Sequence, residues 1–273
     1  LLPSNQGQLF VPGIVMNKQQ SGSGISALTN KKWEAAKTYY WPIDEKMQFF
    51  AYPSSITDFA TEGTAYPTFS FAVNDSPASQ LDLVVAHHSD VTKPADNGTY
   101  TLKFKHILTR VNFSYKPENP DYTYAISNIE IKGLLGGTAK YTFGVSDGVW
   151  NTTNATEDKS YSYSIAASPE KDGEYYKLDD TNGSLMLLPQ AAAGITIEVT
   201  YTTKSGEHTF FTGTKAVTLP AETPAWGIGQ NIRYKLTLPV GGDAIDLDTD
   251  VNNWNTEDAG NEVTPDTPVT PTP

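Results

Sequence analysis

The chain has 273 residues, 38% of them hydrophobic and 11% aromatic, enough for one large β domain or two of ordinary size and too much for a wholly disordered protein. Its 19 basic and 31 acidic residues leave a net charge of −12 with no basic patch, which argues against nucleic acid and anionic membrane surfaces as partners. No apolar run is long enough to span a bilayer, and the absence of cysteine excludes thiolate metal sites, a cysteine nucleophile and a disulfide frame.

The chain opens on Leu1 without the charged and apolar regions of an export leader, so it is read either as leaderless or as already trimmed. Residues 9–16, LFVPGIVM, form an apolar run interrupted by Pro12, an edge strand at best because proline cannot donate to a ladder. Lys18 and the QQSGSG after it read as an exposed loop. Residues 29–41 are the one helix candidate. Thr29 or Asn30 is its cap, Trp33, Ala36, Lys37 and Tyr40 share a face, and the stretch ends before Pro42.

From there on the pattern is strand and turn. Met47–Tyr52 is followed by Thr68–Val73, where Phe69, Phe71 and Val73 alternate with Ser70 and Ala72, and Leu81–Ala86 is nearly all apolar, as in a buried central strand. Asp96-Asn97-Gly98 is a turn signal. Residues 102–115, LKFKHILTRVNFSY, read as one long strand whose apolar phase changes partway. Ile107, Val111, Phe113 and Tyr115 share one face; Arg110, Asn112 and Ser114 share the other, as in a half-buried strand; Phe104 and Leu108 fall out of phase. A strand that is apolar first on one side and then on the other passes between two cores. It therefore reads as the junction of two β domains, the alternative being a single sandwich with a bulged central strand.

Beyond the junction, Tyr124 and Ile126 face one way and Ile129 and Ile131 the other, which predicts a bulge near Asn128. Residues 151–160 read as polar loop. Tyr161–Ile165, Ile195–Thr202, His208–Thr212, Ile232–Leu238 and Ile245–Val251 are further strands, with a hairpin through Ser205-Gly206. Short strands at this spacing predict sandwiches rather than parallel α/β. Residues 255–273 carry Thr-Pro pairs, four acids and no base, and read as a mobile extended tail.

No catalytic constellation stands out. Gly227-Ile-Gly229 lacks the third glycine and the following helix of a dinucleotide loop. His87 and His88 are adjacent, so on a strand their rings point to opposite faces, the wrong arrangement for chelation. His106 and His208 read as single strand and hairpin residues. Asp246, Asp248 and Asp250, with Glu257 beyond them, match a calcium loop at four places. Val251 stands where that loop needs glycine, and three outward acids on a strand explain the spacing equally well, so at most adventitious calcium is expected there.

Several stretches together resemble the fimbrillin family of Bacteroidales type V pili. They are Tyr39-Tyr40-Trp41-Pro42 with Met47–Pro53, then Leu81–Ala86, the Phe-x-His-x-Leu-x-Arg core within residues 102–113, Leu187-Leu188-Pro189-Gln190, Trp226–Gly229 leading to Tyr234, and Val251-Asn252-Asn253-Trp254. Their order and spacing cover residues 39–254; Ile228 departs from the family, which often has proline there. The resemblance implies an all-β chain of two tandem transthyretin-like β-sandwich domains with at most one or two short helices, here residues 1–102 and 103–254. It further implies an outer-membrane lipoprotein precursor, no enzyme and no cofactor, that joins other pilus subunits on the cell surface once a trypsin-like protease removes an N-terminal strand. The opened groove then takes a strand from a neighbour.

Neither Arg110 nor Arg233 lies near the N-terminus, so residues 9–16 are expected to be the removable strand and Lys18 the processing site. Stalk subunits often donate a C-terminal segment, but Pro265, Pro268, Pro271 and Pro273 spoil residues 255–273 for that role, which favours an accessory or tip-proximal subunit bearing a host or microbial surface ligand. Two other classes remain in view. A surface carbohydrate-binding module would use the 5 Trp and 15 Tyr for stacking. A jelly-roll hydrolase would need two carboxylates at catalytic separation in a cleft.

Overall fold

The computed structural model describes residues 2–3, 16–19, 32–35, 40–41, 45–61, 66–93, 101–144, 147–179 and 184–257. Its strands, in chain order, are β1 (Leu2–Pro3), β2 (Met16–Gln19), β3 (Lys32–Ala35), β4 (Met47–Ala51), β5 (Thr68–Ala72), β6 (Val84–Val91), β7 (Lys105–His106), β8 (Thr109–Pro117), β9 (Thr123–Gly136) and β10 (Thr138–Thr142). They continue as β11 (Val149–Asn151), β12 (Glu157–Tyr163), β13 (Ile165–Asp172), β14 (Tyr175–Asp179), β15 (Leu185–Leu187), β16 (Thr196–Ser205), β17 (His208–Thr218), β18 (Gln230–Leu238) and β19 (Asp246–Asn253). One helical turn, α1 (Trp254–Glu257), comes after the last strand. The protein is all-β.

Contacts gather the chain into two compact units. The first is Leu1–Phe69, Val85–Lys103 and Tyr141–Val149; the second is Ser70–Val84, Phe104–Lys140 and Trp150–Pro273. The limits read from the sequence are contiguous, whereas these units trade segments. In the first unit β4 lies between β1 and β6 in antiparallel pairing, and β2 pairs with β3. Its core is aromatic. Phe69 packs against Tyr141 and Phe143, Phe50 against Phe143 and His87, and Tyr52 stacks on Phe59.

The second unit is a sandwich. One sheet runs β12-β9-β16-β17; the other runs β13-β14-β8-β18-β19, with β15 also on β8. β8 and β18 are parallel, whereas the other pairings given for these sheets are antiparallel. Alternation explains the inner faces. Ile197, Val199 and Tyr201 of β16 meet Ile232, Tyr234, Leu236 and Leu238 of β18, together with Val111, Phe113, Ile129 and Ile131, all buried. Each such apolar side chain contributes about 1.5–3 kcal/mol through burial. The expected bulge is found: Thr200 faces Asn128 and Tyr201 faces Ile126, so Ser127 is skipped and both halves of β9 keep their apolar side inward. The Ser205-Gly206 hairpin is also found, with Gly206 at φ 57°.

Several expectations need correction. Within residues 29–41, Lys32–Ala35 is a strand paired with Met16–Gln19, not a helix. A segment this short does not by itself offset the cost of helix nucleation, whereas pairing with β2 satisfies its backbone directly. Lys18 accordingly lies in β2 opposite Trp33 rather than in a loop. The stretch 151–160 is not all loop, because Val149–Asn151 and Glu157–Tyr163 are strands. Residues 102–115 hold two strands, β7 and β8, and β8 is buried on both faces rather than half-buried: Asn112 and Ser114 are as enclosed as Val111 and Phe113. Asn255, read as tail, is part of α1. Residues 9–15, the Asp96-Asn97-Gly98 turn and residues 258–273 lie outside the described residues.

Candidate functional site

The later landmarks, from Asp82 onward, meet at one place in the second unit. His106 is buried, its ring stacked on Trp254 with centroids 3.6 Å apart and its Nδ1 2.7 Å from Asp82 Oδ2. The His106 N–H donates to Asn255 Oδ1 at 2.7 Å, and Asn255 Nδ2 donates to the His106 carbonyl at 3.3 Å. The guanidinium of Arg110 lies 5.3 Å from the Trp254 ring centroid. Gly229 donates to the Leu108 carbonyl and accepts from the Trp254 N–H, and Thr109 Oγ1 donates to the Gly227 carbonyl. Gly229 has φ 66°, and a Cβ there would collide with the Asn255 amide and crowd the His106 carbonyl, so glycine is required twice over. Trp226 donates from its backbone to the Gln190 carbonyl and from Nε1 to the Tyr234 hydroxyl, a phenol pushed up to about 12 by burial. This clasp fixes the start of β8 and the end of β19.

The second concentration of polar groups lies on the outer face of the β14-β8-β18-β19 sheet. Asp179 takes both Arg233 amines, at 2.8 and 2.6 Å, and Arg233 also donates to Ser114 Oγ and the Phe113 carbonyl. Tyr163 donates its hydroxyl to the same carboxylate, and burial first, then the Asp179 charge, drives that phenol far above its ordinary range. Arg110 donates to Ser184 Oγ, Ser184 to Asn112 Oδ1, and Asn112 Nδ2 to Asn231 Oδ1. Outward from this floor opens a hollow of about 480 Å³, walled by the β13–β14 hairpin tip on one side and by β18 and β19 on the other.

Of the residues singled out in the sequence, Asp250 reaches the hollow and pairs with Lys235 at 2.5 Å, while Asp246 and Asp248 are exposed, each holding the N–H of the next residue. The sheet therefore spreads the three acids along one edge and uses them separately. His87 turns into the aromatic core of the first unit and His88 outward. Lys18 belongs to β2, far along the chain from either cluster. The hollow itself is not legible in the sequence. Its residues are polar positions of strands paired over long sequence separations, and the sole local signal is the Asp172-Gly173 turn.

Comparison with known proteins agrees with this architecture. The fimbrillin-like family profile matches residues 14–254. The fimbrium subunit Fim1C of Phocaeicola vulgatus is 32% identical over 108 residues, which make up 33% of this chain and 28% of that protein. The match thus spans little more than a quarter of that relative's length. A fimbrial protein from Bacteroides vulgatus has the same fold at a TM-score of 0.64 and 21% identity, covering 83% of each chain. A candidate cell adhesion protein from Bacteroides uniformis comes next at a TM-score of 0.52 and 16% identity, over 82% of this chain and 80% of that one. Sequence landmarks, clasp and profile coincide over the same span: the chain belongs to the fimbrillin-like family.

Proposed function

We propose that this chain is a structural, adhesive subunit of a bacterial surface fimbria, exported as an outer-membrane lipoprotein precursor and polymerised by strand exchange after proteolysis. In this reading residues 1–102 and 103–254 act as tandem transthyretin-like domains. The observation that supports it is the place of β1, a short strand laid antiparallel on β4. Among the described residues β1 pairs with β4 at Leu2 opposite Gln48 and Pro3 opposite Met47, and Pro3 has no N–H to give. Losing that strand uncovers the N–H and C=O groups of β4, which a strand from another subunit can satisfy.

Cleavage after Lys18 would release β1 and most of β2 together, because Lys18 is the third residue of Met16–Gln19. Fimbriae sheared from cells and submitted to N-terminal sequencing are expected to yield a subunit beginning at Gln19. A polymer whose subunits begin before Leu9 would sink the proposal.

A further inference from the structure

We propose that the hollow on the outer face of the second unit binds a neutral oligosaccharide. The inference goes beyond the subunit role and does not depend on strand exchange.

The floor comes from alternate residues of neighbouring strands, Asn231, Arg233 and Lys235 of β18 beside Asp250 and Asn252 of β19, and Tyr175 and Lys177 of β14 close one wall. β14 and β18 are interior strands, so the backbone beneath most of the floor is committed to ladders, and β19 is paired on its inner side. Within the hollow the side chains are left to bind; an extended peptide seeking strand pairing would add to the outer edge of β19, beside the hollow.

Charge narrows the choice further. Three acids of the lining, Asp172, Glu174 and Asp250, stand against three cations, Lys177, Arg233 and Lys235. Nearly every charge is already matched. Lys177 pairs with Asp172 at 3.0 Å, Lys235 with Asp250 at 2.5 Å, Glu174 with Lys116 at 3.4 Å, and Arg233 with Asp179. A phosphate, sulfate or carboxylate ligand would meet an acid beside every cation. A metal ion would have to pull carboxylates from their amines, and among the described residues no group of three metal-ligating side chains converges. An apolar ligand would gain little from a lining this polar.

A sugar hydroxyl is both donor and acceptor, so it can bridge an ammonium and the carboxylate next to it without separating them. Asn231 and Asn252 extend the same dual character with planar amides. Tyr175 is the one aromatic ring in the lining. Lys116 and Lys235 stand over it, 5.0 and 5.3 Å from its centroid, which holds the ring in the wall and leaves its edge for a pyranose to meet. The volume falls in the range of about 300–1,000 Å³ usual for small-molecule sites. The rigidity of the floor, with Arg233 held by Asp179, Ser114 and the Phe113 carbonyl, means little is lost in ordering it.

The test is an array printed with neutral oligosaccharides of host and microbial type beside sialylated and sulfated ones, probed with the full chain. The best member is then titrated calorimetrically against the wild type, Asn252→Ala and Tyr175→Ala. Binding confined to neutral members, with Kd raised at least tenfold in both variants at unchanged Tm, is the expected result. Asn252 is exposed, so its replacement leaves the core untouched and keeps the test valid even if Tyr175→Ala loosens the hairpin. Failure to bind any neutral glycan, binding of acidic members only, or full affinity in Asn252→Ala overturns the proposal. None of these outcomes bears on the N-terminal sequence of the assembled fimbria, so the two ideas stand or fall separately.

Discussion

Phe50 lies flat on His87, 4.5 Å between centroids, and Tyr66 and Phe143 meet the same imidazole edge-on. Burial lowers the pKa of this histidine, outweighing the upward pull of the Gly144 backbone, and the neighbouring His88 adds to the lowering. The folded first unit therefore prefers the neutral ring. Above the ordinary histidine pKa of about 6.5 both states are neutral and nothing is lost. As pH falls below that value the unfolded chain takes up a proton that the folded ring resists, so stability declines until the lowered folded pKa is passed. Urea midpoints for the first unit should drop between pH 7 and pH 5, and His87→Phe should flatten that drop. His88, His106 and His208 are common to both proteins, so the difference between them isolates His87. An identical slope in the variant would show that the aromatic cage does not discriminate between the two ring states.

Among the elements, β19 is held at its end by Trp254 and Asn255. Trp254 is 6% exposed and stacks on His106, and its N–H and the Asn255 side chain tie α1 to Gly229 and His106. Trp254→Ala removes the stack and leaves a cavity, a loss of about 3–5 kcal/mol. Hydrogen exchange should then rise along β19 while β16, in the other sheet, stays protected; unchanged protection of β19 would mean the clasp is incidental. β16 and β18 are legible in the sequence because each buries one face and shows the other to polar surroundings, so the period of two is written into Ile197-x-Val199-x-Tyr201 and Ile232-x-Tyr234-x-Leu236. β9 is legible with its bulge for the same reason. β13 and β14 are not: Ser168-Pro169-Glu170-Lys171-Asp172 is polar on both faces, sits at a sheet edge, and slips register between Ile165 and Glu170. β3 fails differently, since Trp33, Ala36, Lys37 and Tyr40 fit a helix face while Lys32–Ala35 is too short to show a period of two. The clasp and the hollow escape local reading altogether. Residues such as Asp179 and Arg233, or His106 and Asn255, share no periodic pattern, and only the pairing of β8 with β18 brings them into reach.

At the scale of the whole molecule α1 is the last described element, and the sequence beyond it differs in kind from the chain before it. The buried cluster of the second unit draws on side chains from Val111 to Ile245, and the hydrophobic pattern of the sequence stops at Trp254. Residues 255–273 carry four acids, no base and a proline at 265, 268, 271 and 273. A donor strand has to offer N–H groups to an acceptor edge and apolar side chains to its trough at every second position. This segment does neither: prolines remove the donors, and Val263 and Val269 are its only sizeable apolar side chains. Subunits that extend a fimbria through such a tail would form weak joints, and on that ground we propose an accessory or tip-proximal place for this chain rather than the stalk. Deleting residues 258–273, while keeping Asn255 so that the clasp survives, should leave fimbrial length in electron micrographs unchanged and alter neither Tm nor surface yield. Fimbriae shortened by the deletion would instead make the tail the strand donor, and the stalk the place where this subunit works.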